Sequence, residues 1–171
     1  MRLARATLEA YAHGTPAPEP PAVPGTGLKR GAFVTLEAGG ALRGCIGHIA
    51  ADVALGEVVR RMTLAAARDD PRFLPVTADE VPGIRLEISV LTTPVLAPAP
   101  FDPARIVIGR DGLLIRRAKQ AGLLLPQVAT EHGWAPEAFL AAACQKAGLG
   151  PQVWREPGTD VFLFQADIFG E

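Results

Sequence analysis

The sequence predicts an α+β fold, an antiparallel sheet with flanking helices. Helical and strand-like segments are mixed along the chain, without the regular strand–helix alternation of a doubly wound sheet. Glycine-containing turn signals at residues 39–40 and 110–112 each separate two apolar runs, which is typical of hairpins. No GxGxxG run follows a strand and no GxxxxGK(S/T) loop occurs, so neither type of nucleotide site is predicted.

Composition sets the broad class of the protein. The chain has 171 residues, of which 49% are hydrophobic and 20% charged, and we expect one domain over residues 1–171 with a proline-rich connector at 14–30. A net charge of -1 argues against sequence-independent nucleic-acid binding. No apolar run approaches the roughly 18 residues of a membrane span, and two cysteines are too few for a disulfide framework. We therefore predict a cytoplasmic protein with neither nucleic-acid nor membrane partners.

The first half of the chain reads as helix, hairpin and helix. An alanine-rich helix is predicted over residues 3–13 and a strand over 31–38, which returns through Gly39-Gly40 into a second strand over 42–48. A long helix is predicted over 52–68, with Asp52 as its N-cap. Asp70 precedes a proline and should lie in extended backbone just past that helix.

The second strand carries the residues with most chemical potential. Alternation along a strand predicts that Leu42 and Ile46 face the core, while Arg43 and Cys45 share the other face. The glycines of this strand should leave its backbone uncovered for a ligand. A guanidinium close to a thiol favours the reactive thiolate, so Arg43 beside Cys45 is a candidate activating pair.

Two interpretations of Cys45 stay open: a nucleophile, or a small residue packed between glycines. His48 faces the opposite way on a continuous strand, so it reaches the thiol only if the chain turns at Gly47. His132 is an alternative base that folding would have to bring in. Cys45, His48 and His132 form only an incomplete zinc set, so no metal and no cofactor are predicted.

The second half of the chain continues with strands and short helices. A strand is predicted over 84–92, a hairpin from 106–109 to 113–115 and a short strand over 123–125 after a turn near 120–122. Helices should begin at Pro126 and near Pro136, and end at Gly133 and Gly148. Residues 160–168 are predicted as one strand deep in the sheet, because alternate positions are apolar throughout.

Several motifs resemble those of the AMMECR-type domain family, named after a human chromosomal-deletion syndrome. They run in family order from about residue 28 to the end of the sequence, and are LRGCIG at 42–47, DPRF at 70–73, SVLT at 89–92, LPQVATEHGW at 125–134 and KAGL at 146–149. The resemblance implies an α+β fold with a larger lobe built from both chain ends, a smaller middle lobe and a cleft between them as the candidate site.

The resemblance also assigns site residues by position. The residues that match family motifs are Arg43, Gly44, Cys45, Gly47, Asp70, Arg72 and Glu131. Cys45 is a catalytic candidate, and the others are ligand-binding candidates. His48 and His132 fall where the family pattern varies, which weakens a cysteine–histidine mechanism.

The family has no settled activity, so the sequence leaves open whether the chain is an enzyme. We expect a cleft around the LRGCIG motif that binds a small molecule or a protein segment. Related prokaryotic domains occur beside or fused to Memo-like and radical S-adenosylmethionine proteins. The alternative is therefore a cysteine-dependent enzyme, or an accessory subunit acting with such partners.

Overall fold

The computed structural model describes all 171 residues, as four α-helices and eight antiparallel β-strands. The helices are α1 (Arg2–Ala12), α2 (Leu55–Arg68), α3 (Pro126–Glu131) and α4 (Pro136–Lys146). The strands are β1 (Ala32–Ala38), β2 (Ala41–His48), β3 (Ile84–Leu91), β4 (Val95–Leu96), β5 (Gly112–Arg117), β6 (Gln120–Leu124), β7 (Asp160–Phe164) and β8 (Ala166–Gly170). The predicted α+β class is confirmed.

The chain divides into two compact units, and the first comprises Met1–Leu91 with Asp167–Glu171. Its sheet has the strand order β2-β1-β3-β8. The β1–β2 hairpin turns through Gly39 and Gly40, whose φ angles of 59° and 79° suit the tight turn predicted there. Helix α2 packs on β1 and β2, and α1 packs on α2. The fully buried side chains of Val34 and Leu36 belong to the core under these helices.

The second unit comprises Thr92–Ala166 and has its own sheet, with the strand order β4-β7-β5-β6. Helix α4 packs on β5 and β6, and its Phe139 and Leu140 are fully buried in the core of this unit. Pro126 and Pro136 begin α3 and α4 as predicted, and Gly133 and Gly148 follow the helix ends with positive φ.

The two sheets have the same connectivity. In each unit a hairpin is followed by helix, and then by a third strand that pairs with the first strand of the hairpin. The fourth strand of each sheet follows the third strand of the other unit, since β4 follows β3 and β8 follows β7. This repetition of topology was not detected in the sequence.

Helix α2 begins later than predicted, and the predicted N-cap Asp52 is wrong. The N-cap is Ala54, in extended backbone, and a bridge between Lys29 and Ala54 holds the chain in that conformation. Asp52 instead lies 2.6 Å from Nε2 of His48. The side chain that was predicted to cap the helix therefore contacts the His48 ring instead.

The hairpin predicted around residues 110–112 is also wrong. Residues 107–111 form a turn in which the buried carboxylate of Asp111 accepts the N–H of Val107 and pairs with Arg110. The hairpin of this unit lies one strand later, between β5 and β6, with Ala118 at φ 51° in the turn. Residues 120–122 therefore belong to a strand rather than to a turn.

The single strand predicted over 160–168 is two strands in two different sheets. The break is at Gln165, whose N–H donates to Oγ1 of Thr92 and whose carbonyl accepts the N–H of Thr92. β7 lies inside its sheet, whereas β8 is an edge strand on which Ile168 and Phe169 are about half exposed. The alternation of apolar residues continues across Gln165, so the sequence pattern does not show where β7 ends. Contacts of the folded chain determine that position.

Candidate functional site

Cys45 lies within β2, an edge strand of its sheet. Its N–H donates to Oδ2 of Asp70 at 2.8 Å, and its carbonyl accepts from Nη2 of Arg72 at 3.3 Å. Both backbone groups therefore point away from β1, which makes Thr35 and Cys45 a non-hydrogen-bonded pair of the hairpin. The Asp70–Arg72 segment takes the place of a further strand at this point of the edge.

Asp70 holds Arg72 in a fixed position. Asp70 is only 3% exposed, and its carboxylate accepts from the Arg72 N–H (3.1 Å), Nε (2.9 Å) and Nη2 (2.7 Å). The hydrogen bonds from Arg72, helped by the N–H of Cys45 and opposed by burial, hold the pKa of Asp70 well below its usual range. The Arg72 side chain is 51% exposed, and its Nη1 makes no hydrogen bond within the chain.

Arg43 makes an equivalent pair with Glu80. Its Nε and Nη2 donate to the two carboxylate oxygens at 2.7 and 3.0 Å. The Arg43 bonds, together with the N–H and hydroxyl of Thr77, lower the pKa of Glu80 to about 2. Nη1 of Arg43 is buried without a partner.

The two arginines meet on one aromatic ring. The guanidinium carbons of Arg43 and Arg72 lie 5.8 and 5.5 Å from the ring centroid of Phe73, within cation–π range. Phe73 thereby links the LRGCIG and DPRF motifs through their side chains as well as through the backbone of Cys45. The next residue, Leu74, is 83% exposed.

A β-bulge changes the predicted facing of the β2 side chains. Leu36 pairs with Gly44 and Glu37 with Leu42, so Arg43 is the extra residue of β2. Leu42 therefore falls on the face of Glu37 and is 42% exposed, which contradicts its predicted place in the core. From this bulge position Arg43 donates to Glu80, and its activation of the Cys45 thiol stays a prediction.

The two motif glycines have packing partners in this structure. A Cβ at Gly44 would lie 2.2 Å from the carbonyl oxygen of Ala66 in α2, and one at Gly47 would lie 2.2 Å from the Phe33 ring. Close approach of a helix and of a ring therefore accounts for these glycines, whereas the sequence suggested an uncovered backbone. Ligand binding by Gly44 and Gly47 stays a prediction.

The Cys45 thiol is partly buried, and its sulfur accepts the Thr35 hydroxyl at 3.4 Å. His48 pairs with Asp52 and makes no contact with the thiol. A nucleophilic cysteine needs a base or a cation close to the sulfur. The cation beside Cys45 is Arg72, whose Nη2 reaches the Cys45 carbonyl at 3.3 Å and whose pKa is raised mainly by its bonds to Asp70, with a smaller contribution from Cys45.

Two predicted residues lie in the second unit. Glu131 is the exposed last residue of α3. The His132 ring packs edge-on against Trp134, with centroids 4.4 Å apart. A ligand-binding role for Glu131 stays a prediction.

Sequence reasoning missed Glu80 and Thr35. Glu80 accepts both the N–H and the hydroxyl of Thr77 three residues earlier, which is the Thr-x-x-Glu spacing of a capping box. That spacing was a usable signal. Thr35 had no local signal, because its contact with Cys45 depends on the hairpin register.

Two further features bear on chemistry. Cys144 is fully buried in α4, and burial raises the pKa of its thiol, which suits an inert core residue. No three His, Cys, Asp or Glu side chains come together in a group that could hold a metal ion.

The fold and this edge-strand cluster define an α+β protein of two antiparallel sheets, each covered by helices of its own unit. A family model described as AMMECR1 matches residues 1–169, and the chain belongs to the AMMECR1 family. None of its helices combines the length and apolar character needed to cross a bilayer.

Relatives align with this chain over its full length. Protein TK0174 of Thermococcus kodakarensis is 46% identical over 180 residues, covering 100% of this chain and 88% of the relative. Protein Ta0236 of Thermoplasma acidophilum is 44% identical over 175 residues, covering 100% and 85%. The crystal structure of the uncharacterized protein PH0010 from Pyrococcus horikoshii matches with a TM-score of 0.94 and 43% identity, covering 99% of this chain and 88% of that one.

Proposed function

We propose that this protein is a binding module that takes up a small molecule or a partner segment beside Cys45, through a carboxylate or phosphate oxygen held by Arg72. The observation that carries the proposal is the guanidinium of Arg72. It is locked on one side by a buried carboxylate and keeps its Nη1 donors free on the other.

Pre-organisation supports this proposal. Three donors of Arg72 are already bonded to Asp70 and one to the Cys45 carbonyl, so little side-chain entropy remains to be lost on binding. A planar guanidinium presents its remaining donors at fixed angles, which suits carboxylate and phosphate oxygens.

The occupant should carry an apolar part as well. Asp70 neutralises the charge of Arg72, so a bare anion gains little from charge alone and depends on directed hydrogen bonds. The Phe73 ring and the exposed side chain of Leu74 follow directly in the chain and offer apolar surface. A carboxylate on an aliphatic body fits this combination.

The alternative of a cysteine-dependent enzyme has less geometric support, because the thiol has a hydroxyl donor but no base in contact. An accessory role beside a Memo-like or radical S-adenosylmethionine protein remains compatible with the proposal, since a protein segment is one of the two proposed occupants.

Nuclear magnetic resonance titration tests the proposal. Inorganic phosphate and isovalerate are added at constant ionic strength, and the signals of the Cys45 N–H and Arg72 Nε–H are followed. Isovaleramide is the uncharged control. Arg72→Lys keeps a cation beside Asp70 but removes the planar guanidinium and its free Nη1 donors. Folding should therefore be retained and binding lost.

Arg110→Lys is the matched control variant. Arg110 pairs with the buried Asp111 through the same two atoms, at 2.8 Å each, but lies in the second unit. We expect saturable shifts at Cys45 and Arg72 in wild type and in Arg110→Lys, and none in Arg72→Lys. Non-saturating shifts of equal size at Arg72 and Arg110 would show that the anions act only by general ionic screening, and would overturn the proposal.

A further inference from the structure

The second unit contains a cavity of about 630 Å³ that includes none of the site residues predicted from the sequence. It is lined by residues 96–101, Pro103 and 154–161, together with Glu137 of α4. This volume falls within the range of small-molecule sites, about 300–1,000 Å³. The cavity is distinct from the Cys45–Arg72 cluster, so its ligand is a separate question.

Two side chains of the cavity lining, Trp154 and Glu137, and the neighbouring Gln152 surround the positive charge of Arg155. The guanidinium carbon of Arg155 lies 4.3 Å from the ring centroid of Trp154. Its Nη2 lies 3.3 Å from Oε1 of Glu137, and its Nε donates to Gln152 at 2.9 Å. An aromatic face beside a carboxylate is the combination that recognises organic cations, and here the chain's own guanidinium occupies it.

The internal cation is poorly retained. The side chains of Arg155 and Glu137 are both more than half exposed, and exposed ion pairs contribute little to stability. Trp154, in contrast, is buried, and its ring is fixed in the core of the unit. A ligand cation could therefore replace Arg155 while the indole stays in place.

One carboxylate at this cavity can be released for a bound cation. Glu137, Glu156 and Asp160 border the cavity, against the single guanidinium of Arg155. Glu156 and Asp160 are held by Arg117 and Arg116, which lie outside the lining. Glu137 is therefore the carboxylate that remains available when Arg155 moves.

We infer that this cavity binds a small organic cation with a planar amidinium or guanidinium group and an apolar body, which displaces the Arg155 guanidinium from between Trp154 and Glu137. The planar cation would stack on the indole and pair with the carboxylate. The apolar body would lie against Pro100 and Phe101.

Three probes of one shape test this inference: benzamidine, neutral benzamide and anionic benzoate. The chain has two tryptophans, so the indole N–H signals of Trp154 and Trp134 give a direct readout with an internal control. We expect benzamidine to shift the Trp154 signal in a saturable way, benzamide to bind about tenfold more weakly, and benzoate to have no effect.

Variants separate the proposed contacts from general effects. Glu137→Gln should weaken benzamidine binding about tenfold. Arg155→Ala should strengthen it several-fold, because the internal competitor is gone. Asp167→Asn, which removes a negative charge from exposed β8 in the other unit, should leave binding unchanged.

The response to Arg155→Ala is decisive, since exposed Arg155 can be removed without opening the core. Unchanged or weaker binding in this variant would overturn displacement of the internal guanidinium. Equal binding of benzamide and benzamidine, or equal shifts at Trp134 and Trp154, would show that the probes bind without recognition of charge and would likewise overturn the inference.

Discussion

The carboxylate of Asp70 accepts the backbone N–H of Cys45 at 2.8 Å, across 25 residues of sequence. Arg72 donates to the Cys45 carbonyl, so both the N–H and the C=O of this edge-strand residue have hydrogen-bond partners. The LRGCIG and DPRF motifs therefore form one structural cluster. The DPRF segment supplies hydrogen-bond partners for the exposed backbone edge of the strand that contains LRGCIG.

Replacement of Asp70 should destabilise the first unit strongly. Asp70→Ala removes the acceptor of the partly buried Cys45 N–H and the partner of Arg72, for an expected loss of about 2–3 kcal/mol in the free energy of unfolding. Asp69→Asn is the control, because Asp69 is exposed and pairs only with Arg68; it should cost less than about 0.5 kcal/mol. Urea unfolding measures both values, and equal losses would contradict the role given to Asp70.

Stability should fall in acid through Glu80. Its pKa is depressed from the ordinary value of 4.5 to about 2, so its contribution is complete above pH 4.5 and is lost as the pH falls through about 2. The pKa of Asp70 is shifted in the same direction and adds to the slope. Glu80→Gln should flatten the dependence of the unfolding free energy on pH in this window. An unchanged slope in that variant would contradict the assignment.

Gly44 should not tolerate a side chain. In Gly44→Ala the new Cβ would lie 2.2 Å from the Ala66 carbonyl oxygen, a backbone atom that moves only with α2. We expect a loss of about 1–3 kcal/mol in the free energy of unfolding, measured by thermal or urea denaturation. Gly83→Ala is the control, since a Cβ there meets nothing within 4 Å. A Gly44→Ala protein as stable as this control would show that α2 can retreat from β2.

The two cysteines should be alkylated at very different rates. Cys45 is partly exposed, whereas Cys144 is fully buried and its thiol pKa is raised by burial. Iodoacetamide should therefore label Cys45 in the folded protein, and Cys144 only through unfolding, as mass spectrometry can resolve. If both thiols are protected until the protein unfolds, Cys45 is inaccessible and a reactive role for it is excluded.

Local sequence signals predicted much of the secondary structure. The Gly39-Gly40 turn, the strand that starts at Ile84 and the proline starts of α3 and α4 all follow from short-range rules of backbone conformation. These features depend on residues whose preferences act over a few positions. Motif matching placed Cys45 and Asp70 in one predicted site, and a hydrogen bond joins the two residues in the structure; the function of that site stays a prediction.

The errors arose where distant contacts override local preference. The bulge at Arg43 depends on the register with β1, and it reverses the facing of Leu42. The break at Gln165 depends on hydrogen bonds to Thr92, which is far away in sequence. Glu80 was overlooked because its main partner lies 37 residues away, although its spacing from Thr77 was a readable signal.

Each sheet takes its fourth strand from a part of the chain that follows the other unit's third strand, and this affects the order in which the sheets can form during synthesis. The sheet of the first unit has three strands once β3 has been made, but its β8 edge is added only with residues 166–170. The sheet of the second unit receives β4 before its other three strands exist. A nascent chain that ends just after β4 therefore contains β4 without its partner strand β7. The sheet of its first unit still lacks β8.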